Sequence, residues 1–175
     1  MIRKNWSVLI AVVVLTMATY AAEQENPFKA AKVGDWVEYK ISSGHMNGTM
    51  KQTVIKKTDT EVTLEIVNNM GGQEMKQQQV IKLNEKYDPL KQSMPKDVEM
   101  KIVDSGEENL TVADKTYSTK WTAVEVTMKV AGQTIMTNAK TWISSEVPLG
   151  GMVKTQTEMA GNTMTIELIG SGSAK

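Results

Sequence analysis

The run VEVTMKV, Val124 to Val130, alternates apolar and polar side chains without a break. Val124, Val126, Met128 and Val130 fall on one face of an extended chain, and Glu125, Thr127 and Lys129 on the other. A period of two specifies a strand with one buried and one wet face, the pattern of antiparallel sheets. The same pattern recurs along the chain. It appears in WVEYKI (Val37, Tyr39, Ile41), in EVTLEIV (Val62, Leu64, Ile66) and in MTIELI (Met164, Ile166, Leu168). The segments SSGHMNG, NNMGG, VADK, VAGQ, VPLGG and MAGN lie between such runs and supply the Gly, Asn or Asp that tight turns need. No stretch after the N-terminal segment sustains a helical period. The expected fold is all-β or β-dominated: an antiparallel meander forming a curved sheet, half-barrel or sandwich, with little helix.

Three segments interrupt the alternation. NEKYDPLKQSMPKD (Asn84 to Asp97) holds two prolines and many charges, and is expected to be a loop. TWISSEVPLGGMVK (Thr141 to Lys154) leaves one strand at Ile143 and enters the next at Gly151. Pro148 fixes φ, and Gly150-Gly151 lets the chain turn back, so a stiff turn is expected in place of a reactive loop. DSGEEN (Asp104 to Asn109) lacks the ligand spacing of a calcium loop and is expected to be a polar hairpin turn.

The first 21 residues have the order of a secretory signal. Arg3 and Lys4 precede the apolar run Val8 to Ala18, and a small-residue site at Thr19 to Ala21 precedes polar EQEN. The apolar run is short of the roughly 20 residues that span a bilayer. Cleavage after Ala21 is expected, giving a secreted or periplasmic, bacterial protein that does not span the membrane once processed. The remainder divides into a polar leader (22–32), one antiparallel β domain (33–170) and a flexible tail (171–175). Loss of Arg3 and Lys4 lowers the basic count from 20 to 18 against 20 acidic residues, a net charge near −2. With basic residues dispersed, nucleic acid is not expected as a partner.

Composition narrows the chemistry. The chain has no cysteine, which removes thiol catalysis, thiolate metal sites and disulfide staples. Its single histidine, His45, sits in a Gly-flanked turn, and no G-x-S-x-G elbow or phosphate-binding glycine loop is present. No catalytic residue and no cofactor is expected. Thirteen methionines stand out. Thioethers favour Cu(I), so His45, Met46 and Met50 form a weaker metal alternative, while core filling is the ordinary role of methionine. Trp36 shares a strand face with Glu38 and Lys40, and Trp142 shares one with Asn138 and Lys140. Both rings are therefore expected on the polar face, where they mark a contact surface or a second small core.

From Thr116 to Ile169, a meander rich in Thr, Met and Lys ends in W-I-S-x-E-x-P, a Gly pair and a final amphipathic hairpin. This third of the chain is similar to late strands of LolA/LolB-like secreted bacterial proteins. It also resembles uncharacterised envelope proteins with an EVP-x-GG-x-V-K signature. The resemblance implies a curved half-barrel holding acyl chains, and would place the ligand against Val126, Met128, Met152, Met164, Ile166 and Leu168. Two functions are thus expected first: holding a lipid or other apolar ligand in a curved sheet, or binding an envelope protein through a strand edge or the Trp36 and Trp142 face.

Overall fold

The computed structural model describes residues 26–44, 46–85, 98–130, 133–159 and 161–173. The N-terminal segment expected to be a signal, His45, most of the Asn84–Asp97 segment and the VAGQ turn's Ala131-Gly132 lie outside the described residues. Nine strands follow one another: β1 (Trp36–Ser43), β2 (Met46–Lys57), β3 (Glu61–Met70), β4 (Gln73–Lys82), β5 (Val98–Val112), β6 (Lys115–Val130), β7 (Gln133–Ile143), β8 (Met152–Met159) and β9 (Asn162–Gly172). They form one curved, unclosed antiparallel sheet in the order β4-β3-β2-β1-β9-β8-β7-β6-β5. No helix occurs among the described residues, and so none is long and apolar enough to cross a membrane.

The register assigns every alternating run to the same face. Ile41 stands opposite Ile166 and Gly48, Tyr39 opposite Leu168 and Met50, and Val54 opposite Leu64. These side chains make the main core on the inner face, at about 1.5–3 kcal/mol for each fully buried large aliphatic. Val124, Val126 and Ala139 form a smaller cluster on the same face, with Met100 and Met128 packed against it. Four bulges interrupt the ladders, leaving Ile55, Val103, Val153 and Ile169 as the extra residues. A bulge strengthens local twist and reverses side-chain parity. Ile55, Val103 and Ile169 are exposed although apolar, whereas Val153 is fully buried.

Two connecting segments complete the core. Phe28 and Ala31, from the leader and its following turn, are buried in it, and Lys57 Nζ donates to the Lys29 and Ala31 carbonyls. Asn26 is buried and donates to the carbonyls of Lys82 and Glu85. Between β7 and β8 the expected stiff turn is present: Val147 and Leu149 are buried in the core, and Gly150 and Gly151 have φ of 97° and 79°. The DSGEEN expectation is corrected. Asp104–Asn109 lies within β5, and the actual hairpin turn is Ala113-Asp114, where φ is 47° and 61°.

The β5–β6 ribbon runs past its neighbour. β7 pairs with β6 only from Lys120 onward, so residues 115–119 pair with β5 alone. There the odd-numbered Tyr117 and Thr119 are buried, whereas further on the even-numbered Val124 and Val126 are. The ribbon therefore buries opposite faces along its length.

Leu64→Ala should cost about 2–5 kcal/mol, because it empties volume between Val54 and the rest of the core. Urea unfolding of the two chains measures the loss. A change well under 1 kcal/mol would mean that this part of the inner face is loosely packed.

Candidate functional site

The inner face carries the residues expected to meet an apolar ligand. Met152, Ile166 and Leu168 are buried in the main core, and Val126 in the smaller cluster. Met128 and Met164 are half-buried at the margins of these clusters. The methionines sort by face: Met50, Met70, Met75, Met100, Met128, Met152 and Met164 occupy inner register positions, and Met136 an outer one. Polar groups interleave with them. Thr141 and Thr155 hydrogen-bond at 3.1 Å, and the buried Thr137 Oγ1 has no partner among the described residues. Met46 and Met50 stand four residues apart on β2, roughly 13 Å along the strand.

The outer face is organised by a row that crosses the whole sheet: Gly106, Trp121, Trp142, Lys154, Glu167, Lys40, Thr49, Asn69 and Glu74 are successive cross-strand partners. Trp121 and Trp142 are thus direct neighbours. The Lys140 ammonium lies 3.8 Å from the Trp121 ring centre and 4.6 Å from that of Trp142, and Lys154 lies 5.9 Å from Trp142. Such cations over indole faces are attracted by the ring quadrupole. Glu108 joins the cluster, accepting from Trp142 Nε1 at 2.5 Å and from Lys140 Nζ at 3.2 Å. Lys154 pairs with Glu167 at 3.2 Å.

Parity reads Trp142 correctly onto the polar face, yet the residue is only 7% exposed. It stands opposite Trp121, with the two lysines beside its ring. Trp36 is half-buried, packed over Gly170 and Gly172 with Lys51 at 4.7 Å. Trp121, Glu108 and Gly106 were not singled out from the sequence. A usable signal existed: a glycine inside a strand makes room for a ring. A Cβ on Gly106 would come within 2.9 Å of Trp121, and one on Gly172 within 3.0 Å of Trp36.

The two edges differ. β4 pairs with β3 over ten residues without a register shift, and among the described residues no strand lies on its other side. Its residues 73–78 and Val80 are exposed on both faces, including Met75 (57%) and Val80 (53%). β5, the opposite edge, is broken by the Val103 bulge and carries Lys101, Asp104, Glu107 and Glu108, devices that discourage pairing.

An open cleft of about 690 Å³ lies where the 27–35 segment, the β5–β6 ribbon and the Ser144–Gly151 turn meet. Ion pairs brace its walls, Lys115 to Glu146 at 3.0 Å and Lys120 to Glu107 at 3.5 Å.

Two solved structures share this fold. One is a protein classed as exported, with a YmcC-like fold, from Bacteroides fragilis NCTC 9343. It has a TM-score of 0.56 at 11% identity, covering 81% of this chain and 97% of that one. The other, classed as a lipoprotein, is from Parabacteroides distasonis ATCC 8503. Its TM-score is 0.51 at 13% identity, with 86% of this chain and 100% of that one covered. No protein-family model matches the chain, and no curated protein matches its sequence. At these identities the likeness establishes the all-β meander.

The Trp142 indole N–H, and then the Lys140 ammonium, hold the Glu108 carboxyl below its ordinary value of 4.5. A folded-state value below the unfolded one stabilises the fold above about pH 4.5, and the contribution fades as pH falls through the depressed value. Glu108→Gln should therefore lower the urea midpoint at pH 7, with the gap to the parent closing in acid. Equal gaps at pH 7 and pH 2.5 would remove the ionised carboxylate from the account.

Proposed function

We propose that this chain is a non-catalytic, exported binding protein of the bacterial envelope that holds an extended segment of a partner protein by adding it as a strand to β4. The observation that carries this is the β4 edge: ten residues in unbroken register, solvent on both faces of residues 73–78, and an exposed apolar side chain on each face, Met75 and Val80. Backbone donors and acceptors on such an edge are a template for pairing, and alternate side chains supply selectivity. The contrast with β5, which is bulged and acidic, makes β4 the receptive edge. Support for export comes from the signal-like N-terminus and from how the two structural neighbours are classed.

A second reading, an apolar ligand on the inner face as the LolA/LolB-like resemblance implies, is favoured by the methionine lining and the partnerless Thr137 hydroxyl. Against it, four of the six candidate residues are core side chains, so uptake there requires opening packed structure. Native mass spectrometry of protein purified without detergent separates the two readings. A lipid-sized adduct supports the inner face, and an adduct near one copper ion would turn attention to the methionines.

Peptides selected from a displayed library on the purified chain test the edge directly. In an antiparallel strand, adjacent residues direct their N–H groups to opposite sides, so of Gln77 and Gln78 one donates towards β3 and the other towards the free edge. Proline at the edge-facing position should leave the urea midpoint close to the parent's and weaken peptide binding at least tenfold. Proline at the other should break a rung and destabilise the fold. Selected peptides should also slow amide exchange in β4. Failure to select any peptide, or binding indifferent to both prolines, would overturn the proposal.

A further inference from the structure

The turn between β7 and β8 also walls a cleft, and one acid in that cleft is incompletely satisfied. Asp35 is 5% exposed. Its backbone is fixed by bonds from its N–H to the Lys32 carbonyl and from the Val54 N–H to its own carbonyl. Oδ2 accepts the Lys32 N–H at 2.7 Å, while Oδ1 is buried with no partner among the described residues. Buried polar atoms are nearly always paired, so Oδ1 marks the place of a missing donor.

We propose that this cleft binds an alkylammonium or guanidinium group, with Asp35 as the counter-charge. The lining carries the charged groups Asp35, Glu107, Glu146 and Lys120. Glu107 is paired with Lys120 and Glu146 with Lys115, which leaves Asp35 as the lining acid without a cation among the described residues. Ala31, Ile143, Val147 and Leu149 give the same cleft apolar surface. An acidic end with apolar walls fits a cation carried on a hydrocarbon stem, as in an arginine side chain or a polyamine. A volume of about 690 Å³ is within the usual range for small-ligand sites. A metal ion fits less well, because no group of three or more acidic or histidine side chains converges among the described residues. Oδ1 has almost no accessible surface, so the arriving donor must displace a wall side chain to reach it. The site shares no residue with the β4 edge, and the two proposals stand or fall separately.

The test uses the whole exported chain with two probes, N-acetyl-arginine amide and spermidine, by calorimetry and by amide chemical shifts. Perturbations are expected at residues 27–35, 118–120 and 143–151. Asp35→Asn, which keeps an acceptor for the Lys32 N–H, should weaken binding at least tenfold and raise the melting temperature of the free protein by removing the unpaired charge. Preference for the arginine probe points to a peptide ligand, and preference for spermidine to a free polyamine. If Asp35→Asn does not fold, the parent's shift map still decides: perturbations outside the cleft overturn the proposal. So does an absence of binding by both probes at millimolar concentration, or equal binding by parent and variant.

Discussion

The ladder between β1 and β9 is the joint on which the rest of the structure depends. Without it the chain is two meanders, β1 to β4 and β5 to β9, each built from neighbouring hairpins. Its partners are more than a hundred residues apart in sequence, as with Lys40 and Glu167, so closing it costs chain entropy before any contact offsets that cost. The offset comes from the inner face. Tyr39 against Leu168 and Ile41 against Ile166 are sealed in the core, and Tyr39 Oη donates to the Met152 carbonyl at 3.3 Å. Asp35 directly precedes β1, so the same ladder also brings the N-terminal turn to the cleft wall that precedes β8. Core, cleft and sheet therefore form together.

Much of this was legible in the sequence because strand parity is a local property. The inward sets Val62-Leu64-Ile66, Val124-Val126-Met128 and Met164-Ile166-Leu168 follow directly from period two, and so does the placement of Trp142 with Asn138 and Lys140. What stayed hidden depends on register between strands. Trp142 is buried on a polar face only because Trp121 stands opposite and two lysines lie near its ring. Asp-Ser-Gly in β5 imitates a turn, but Gly106 is needed there because the Trp121 ring occupies the space of a Cβ. The VADK turn, by contrast, was legible: Ala113-Asp114 forms it with two positive φ values and no glycine. Asp35 gave no sequence signal, since its importance comes from burial and a missing partner. The polar leader likewise hid Phe28, whose side chain is in the core.

The β7–β8 turn shows how a local cost is offset by a tertiary gain. Leu149 has φ of 57°, a left-handed conformation that costs a side-chain-bearing residue roughly 1–2 kcal/mol relative to the right-handed one. Glycine at this position would avoid that cost, and two glycines follow at once. The side chain, however, is buried in the main core with Val147, and burying a leucine contributes about 1.5–3 kcal/mol. Burial is therefore at least comparable to the strain, and it fastens the turn at a point where backbone bonds are few: Ser144 N–H to the Gly151 carbonyl, Val147 N–H to the Ser144 carbonyl, and a long contact from Gly151 to Pro148. At Gly151 the balance reverses, because a Cβ would come within 2.7 Å of the Ser144 carbonyl oxygen. Leucine and glycine thus divide the turn between them, one as anchor and the other as clearance. The cleft wall they build is stiff because the core beneath it holds the anchor.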